Sequence, residues 1–133
     1  MTFSPAAYDT LLAHFKDCGS VPSDYDLILT GDLGKIGSQI LIELIAKDGY
    51  DISKNYKDCG CMIYNLKEQD VHAGGSGCGC IASVLCGHIL KRIKNGDLKK
   101  VLAIGTGALL SPTSSLQGES VPGIAHAAVI CRE

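Results

Sequence analysis

The stretch KVLAIGTG at Lys100–Gly107 is a nearly unbroken apolar run of strand length. A half-exposed strand alternates apolar with polar side chains, so a run without alternation has to be covered on both faces, as inside a parallel sheet. Covering two faces takes helices, and joining parallel neighbours takes long crossovers, which are usually helical. The rest of the chain should therefore alternate short strands with amphipathic helices.

It reads that way. Ser4-Pro5 is a helix start, with Ser as N-cap and Pro in the first turn; Tyr8, Leu11, Leu12 and Phe15 recur at helical spacing, and Gly19 is the stop. Tyr25–Gly31 is a strand bounded by breakers. A glycine-rich turn then leads into a helix with Ile36, Ile40, Leu41, Leu44 and Ile45 on one face, ended by Gly49. Asp51–Asp70 is the least regular part and reads as a short helix or an irregular connection. From Gly77, the positions Ile81, Val84, Leu85, Ile89 and Ile93 form a second helical stripe that stops at Asn95-Gly96. Ala108–Pro122 reads as a loop. With a very short strand at Val71–Ala73 and a terminal one at Ile124–Cys131, four strands are expected. The pattern predicts an α/β fold, a three-layer α/β/α sandwich on a mostly parallel sheet. Four strands are few for such a sheet, which points to a piece of something larger.

At 133 residues the chain has the length of one domain, so residues 1–133 are read as a single unit. Hydrophobic residues make up 46% and charged residues 20%, a globular balance. Twelve basic against fourteen acidic residues leave no basic stripe for a nucleic-acid backbone, so no nucleic-acid partner is expected. Seven cysteines with no signal peptide, Met1–Cys18 being an amphipathic helix with charges inside it, suggest reduced cytosolic thiols. Val71–Leu90 lacks Lys, Arg, Asp and Glu over twenty residues, enough to span a bilayer, but five glycines, two serines and two histidines make insertion poor. A soluble protein is expected.

The chemistry concentrates in HAGGSGCGC at His72–Cys80. Helix N-termini expose unpaired N–H groups and partial positive charge, and preceding glycines let an anion approach the backbone. Two readings stay open: an anion cradle, or a joint that only permits tight strand-to-helix packing. The turn lacks the P-loop lysine and the third glycine of a dinucleotide fingerprint, which weighs against a nucleotide. Cys59-Gly60-Cys61 and Cys78-Gly79-Cys80 are C-x-C pairs, whereas structural zinc favours longer spacing and one helical turn points such sulfurs apart, so no metal is expected. A thiol nucleophile at Cys78 or Cys80 would need a nearby base, and burial as a small hydrophobe is the better reading. Cys18, Cys86 and Cys131 lie on apolar segments and read as core. His14 and His88 fall within helices at surface or boundary positions, while His72 and His126 sit at strand–loop junctions that could face a ligand. Asp32, between a strand and a helix, is placed to cap that helix.

The order LILTGDLGKIGSQIL, DVHAGGSGCGC followed by the apolar helix, GTGALLSP and GIAHAAVICRE resembles the C-terminal half of the stage V sporulation protein AD family, over nearly all 133 residues. The resemblance implies a thiolase-like fold: a pseudo-duplicated protein whose halves each carry a five-stranded mixed sheet with an antiparallel last strand. On that comparison the first strand of this half and the whole N-terminal half are absent here, which leaves an uncovered apolar face and an expectation of homodimer-like association. Condensing-enzyme relatives keep a histidine after an early strand and an asparagine in a Gly-Asn-Thr turn. Here the matching stretches read Thr30-Gly31-Asp32-Leu33-Gly34 and Gly74-Gly75-Ser76, so neither group is present, and the nucleophile position belongs to the other half. A non-enzymatic protein without a cofactor is implied, with an acyl-transfer half-domain as the alternative. The resemblance further implies binding of dipicolinic acid, alone or with calcium, in its uptake into the developing spore. The partners implied are integral membrane sporulation proteins, and the location is cytoplasmic, peripheral to the inner spore membrane. The ligand-contact candidates are Asp32, His72, Gly74, Gly75, Ser76, Gly77 and His126.

Overall fold

The structure is a computed structural model that describes residues 3–72, 77–108 and 111–132. In chain order the elements are α1 (Phe3–Cys18), β1 (Leu27–Thr30), α2 (Gly34–Lys47), β2 (Tyr56–Asp58), α3 (Cys59–Ile63), α4 (Cys80–Val84), a π-helical turn (Leu85–Ile89), α5 (Leu90–Asn95), β3 (Lys100–Ala108), α6 (Pro112–Leu116) and β4 (Gly123–Cys131). The sheet order is β2-β1-β3-β4. β1 runs parallel to both neighbours, Ile28 standing beside Tyr56 on one side and Leu102 on the other, and β4 pairs antiparallel with β3 along nine residues. The fold is α/β with a mixed, mostly parallel sheet, and its last strand is the antiparallel one.

Alternation along the two central strands builds the two cores. Ile28, Leu102 and Ile104 face α1 and α2, where Ala7, Leu11, Phe15, Leu41 and Ile45 are buried at the helical spacing of their sequence. Leu27, Leu29 and Val101 face the other way, onto Cys59, Cys80, Val84, Ile89, Ile93 and Leu98. Val101 through Ile104 are all buried, as an unbroken apolar strand requires.

On the second face the helical register slips. Buried positions run Cys80, Val84, Ile89, Ile93, in steps of four, five and four. The extra residue is absorbed by the π turn, where the Leu90 N–H reaches the Leu85 carbonyl. A regular α-helix would turn His88 toward the sheet; the π turn puts Ile89 there and leaves His88 exposed. Gly96, at φ 87°, closes α5 in the left-handed conformation.

Some sequence expectations need correction. The strand beside β1 is Tyr56–Asp58 and not Val71–Ala73: Val71 and His72 lie outside any strand, and Ala73 is outside the described residues. Ile36 points outward at 52% exposure, because the inward face of α2 is carried by Gly34, Gly37, Ser38, Leu41 and Ile45. Cys18, Cys86 and Cys131 are exposed, as is Cys78, while Cys59 and Cys80 are the buried thiols. The first three lie on the solvent sides of elements whose core positions go to larger side chains. The segment read as a loop from Ala108 to Pro122 contains α6. Leu90 on α5 and Ile124 and Val129 on the edge strand β4 remain open to solvent, the latter two on opposite faces of the sheet.

The buried Cys59 and half-buried Cys61 thiols make stability depend on alkaline pH. Burial pushes the Cys59 thiol from 9.0 up to about 12, with the neighbouring Cys80 and Asp58 adding to the rise. The Cys61 thiol rises to about 11, again by burial first and Asp58 second. The unfolded chain therefore loses these protons first, so their contribution is fully present below pH 9 and is lost as pH climbs through 11 to 12. Urea midpoints should fall between pH 9 and pH 11, and Cys59→Ala should flatten the fall relative to its own value below pH 9. Equal slopes in the two proteins would contradict this assignment.

Candidate functional site

The parallel strands β1 and β3 end side by side, and the crevice beyond the carboxyl ends of such strands is where open α/β sheets commonly bind ligands. Here the chain passes unusually close to itself. A Cβ on Gly31 would stand 2.8 Å from Thr106 Oγ1 and 3.2 Å from the Thr106 backbone nitrogen, so glycine alone lets the exit of β1 lie against β3. The next residue, Asp32, donates its N–H to Thr106 Oγ1 at 3.3 Å, and its carboxylate accepts the Gly77 N–H. Asp32, Gly77, Cys78, Thr106, Gly107, Ala108 and Phe3 line a pocket of about 250 Å³.

What fixes this loop is not Asp32 but Asp58, at the end of β2 and 3% exposed. Asp58 Oδ1 accepts Thr30 Oγ1 at 2.7 Å and the Leu33 N–H at 2.9 Å. Its Oδ2 accepts the Gly34 N–H at 3.0 Å and the Cys61 N–H at 3.3 Å. One carboxylate thus caps α3 and, from outside its own segment, the start of α2, where opposite partial charge offsets its burial. The Tyr56 hydroxyl extends the network, 2.7 Å from Thr30 Oγ1 and 3.1 Å from Ser38 Oγ. Burial drives the Tyr56 hydroxyl's pKa upward, so it stays protonated. The expected capping of α2 by Asp32 is therefore corrected: Asp58 does it, and Asp32 turns to Gly77.

The sequence candidates divide. Asp32 and Gly77 come together in the pocket, and Gly77 holds φ at 91°, a conformation that favours glycine. Gly74, Gly75 and Ser76 lie outside the described residues. His72 has φ 52° and a side chain 91% exposed, 3.9 Å from the Asp70 carboxylate, and it does not line the pocket. His126 stands opposite Gly105 on β4, exposed, and is likewise not part of the lining. The sequence reading does not point to Thr106, Gly107 or Phe3 as lining, although GTGALLSP is among the stretches that carry the family resemblance.

The pocket's chemistry is limited. Cys78 is an exposed thiol on the lining, and among the described residues no histidine lines the pocket to take its proton. Among the described residues no three His, Cys, Asp or Glu side chains gather as a metal site. The pocket offers a backbone N–H, a hydroxyl, a carboxylate, a thiol and an apolar wall. Among the described residues, no helix is long and apolar enough to cross a membrane.

Removing the Asp58 charge should loosen this whole region. Asp58→Asn leaves backbone donors at Leu33, Gly34 and Cys61 facing an amide that can accept on one side alone. We expect a loss of about 3 kcal/mol in urea unfolding. A loss under about 1 kcal/mol would show that the region does not depend on the carboxylate.

Two comparisons with known proteins bear on identity. The family model described as Stage V sporulation protein AD matches residues 1–131. The Stage V sporulation protein AD of Bacillus subtilis (strain 168) is 49% identical over 129 residues, which cover 97% of this chain but 38% of that protein. The chain thus spans well under half the length of this relative. A match along nearly the whole chain at this identity is decisive: the chain belongs to the stage V sporulation protein AD family, named for sporulation and not for an enzyme activity.

Proposed function

We propose that this chain is a non-catalytic recognition domain, the C-terminal part of a pseudo-duplicated thiolase-like protein that binds dipicolinic acid for uptake into the developing spore. The observation that carries the reading is the pocket at the ends of β1 and β3, which presents the Gly77 N–H and Thr106 hydroxyl while, among the described residues, no histidine lines it. At about 250 Å³ it falls just below the ~300–1,000 Å³ of ordinary small-molecule sites, the scale of a single-ring ligand. A ring dicarboxylate would rest its apolar faces on Phe3 and Ala108 and offer a carboxylate to the donors.

Asp32 gives the reading its electrostatics. Its carboxylate already holds the Gly77 N–H, so an incoming dicarboxylate meets a like charge and a competitor for the same donor. Calcium, a hard cation that gathers carboxylate oxygens, would bridge Asp32 to the ligand and relieve both. Gly74, Gly75 and Ser76, outside the described residues, remain candidate contacts, with His72 and His126 as outer candidates. The acyl-transfer alternative requires a base beside Cys78; among the described residues the lining offers the Asp32 carboxylate, already engaged by the Gly77 N–H, and no histidine. Partners of this reading are integral membrane sporulation proteins, with the chain cytoplasmic and peripheral to the inner spore membrane. The open residues Leu90, Ile124 and Val129 support a role within a larger assembly, through further protein or a second copy.

Isothermal titration of this chain, and of the full-length Bacillus subtilis relative, with dipicolinate tests the proposal. Calcium should tighten binding, and Asp32→Asn should raise calcium-free affinity about tenfold while erasing most of the calcium effect. Binding by neither protein would overturn the ligand assignment; binding by the full-length relative alone would place the site across both halves.

A further inference from the structure

A second concavity lies away from the strand ends, between α2, β2 and α3, with a volume of about 630 Å³. It shares no lining residue with the first pocket. Lys35 from the first turn of α2 and Lys57 from β2 both line it, so two cationic residues from separate elements border one groove. Among the described residues neither lysine has a carboxylate within 4.0 Å. The one carboxylate in the lining, Asp58, is buried and already accepts four internal hydrogen bonds, so it is not available to them.

Between the charges the groove is apolar and neutral. Ile42 and Met62 are half-buried in its wall, and Ser38 and the Cys61 thiol add neutral polar groups. With its pKa raised to about 11, that thiol adds no negative charge near neutral pH. Two unpaired cations over a partly apolar surface of ligand-sized volume suit one chemistry: an anionic head on an apolar body. We infer that this groove is a binding site for a small amphiphilic anion, a carboxylate or phosphate monoester whose head is held by Lys35 and Lys57 and whose body lies on Ile42 and Met62.

The test is a two-dimensional amide NMR titration of the full 133-residue chain with three probes: hexanoate, hexyl phosphate and inorganic sulfate. Saturable shifts at Lys35, Gln39 and Met62 are expected with hexanoate or hexyl phosphate, and which of the two binds tighter identifies the head group. Both lysines are exposed, so Lys35→Gln/Lys57→Gln should fold and bind about tenfold more weakly. Asp32→Asn should leave this binding unchanged, which separates the result from the dipicolinate proposal. No saturable shift with either organic probe, undiminished binding by the double variant, or equal binding of sulfate would overturn the assignment.

Discussion

The carboxylate of Asp58 is the constraint on which the functional end of this fold depends. It sits in the core layer at the end of β2 and receives donors from β1, from the start of α2 and from the start of α3. A buried charge is stable only when its acceptor sites are filled, and here four donors fill them. The energetic requirement runs in both directions. The loop after β1 satisfies the carboxylate, and the carboxylate in turn fixes where Gly31–Gly34 goes. The Gly60 N–H, bonded to the Gly31 carbonyl at 3.2 Å, ties α3 to the same loop.

From that fixed loop the pocket follows. With Leu33 and Gly34 anchored to Asp58, Asp32 is freed from capping its own helix and reaches across to Gly77 and Thr106. The close pass of Gly31 against Thr106 brings the two strand ends near enough for one small ligand to touch both. In condensing enzymes, as the sequence resemblance implied, this region carries a histidine. Here an acidic side chain, Asp32, accepts the Gly77 backbone N–H.

Much of the architecture was legible in the sequence because long apolar periodicities report burial directly. Lys100–Gly107 reads as a doubly covered strand and is one; the stripe over α1, the Leu41 and Ile45 part of the stripe over α2, and the stops at Gly19, Gly49 and Gly96 also agree with the structure. β2 was missed because Tyr56-Lys57-Asp58 is short and polar, and it is a strand by pairing with β1 and not by its own pattern. The same blind spot hid Asp58. Its partners are 24 to 28 residues away in sequence for β1 and α2, so no local signal marks it as their cap. Asp32 looked like the cap because it is adjacent to the helix, and tertiary packing supplied another carboxylate. The π turn likewise has no simple sequence sign, which is why a regular stripe through Leu85 and Ile89 described only part of the buried face. Of the candidate site, Asp32 and Gly77 were found from their glycine-rich turns, whereas Thr106 and Gly107 became visible once β1 and β3 were paired.

We propose that a dicarboxylate is recognised where Asp32, Gly77 and Thr106 meet at the ends of β1 and β3. Amide NMR mapping of the calcium–dipicolinate complex on the isotopically labelled chain addresses it most directly. The account predicts that the largest saturable shifts fall at Asp32, Gly77, Thr106 and Gly107. Shifts confined to other surfaces, with those four amides unmoved at saturation, would contradict it.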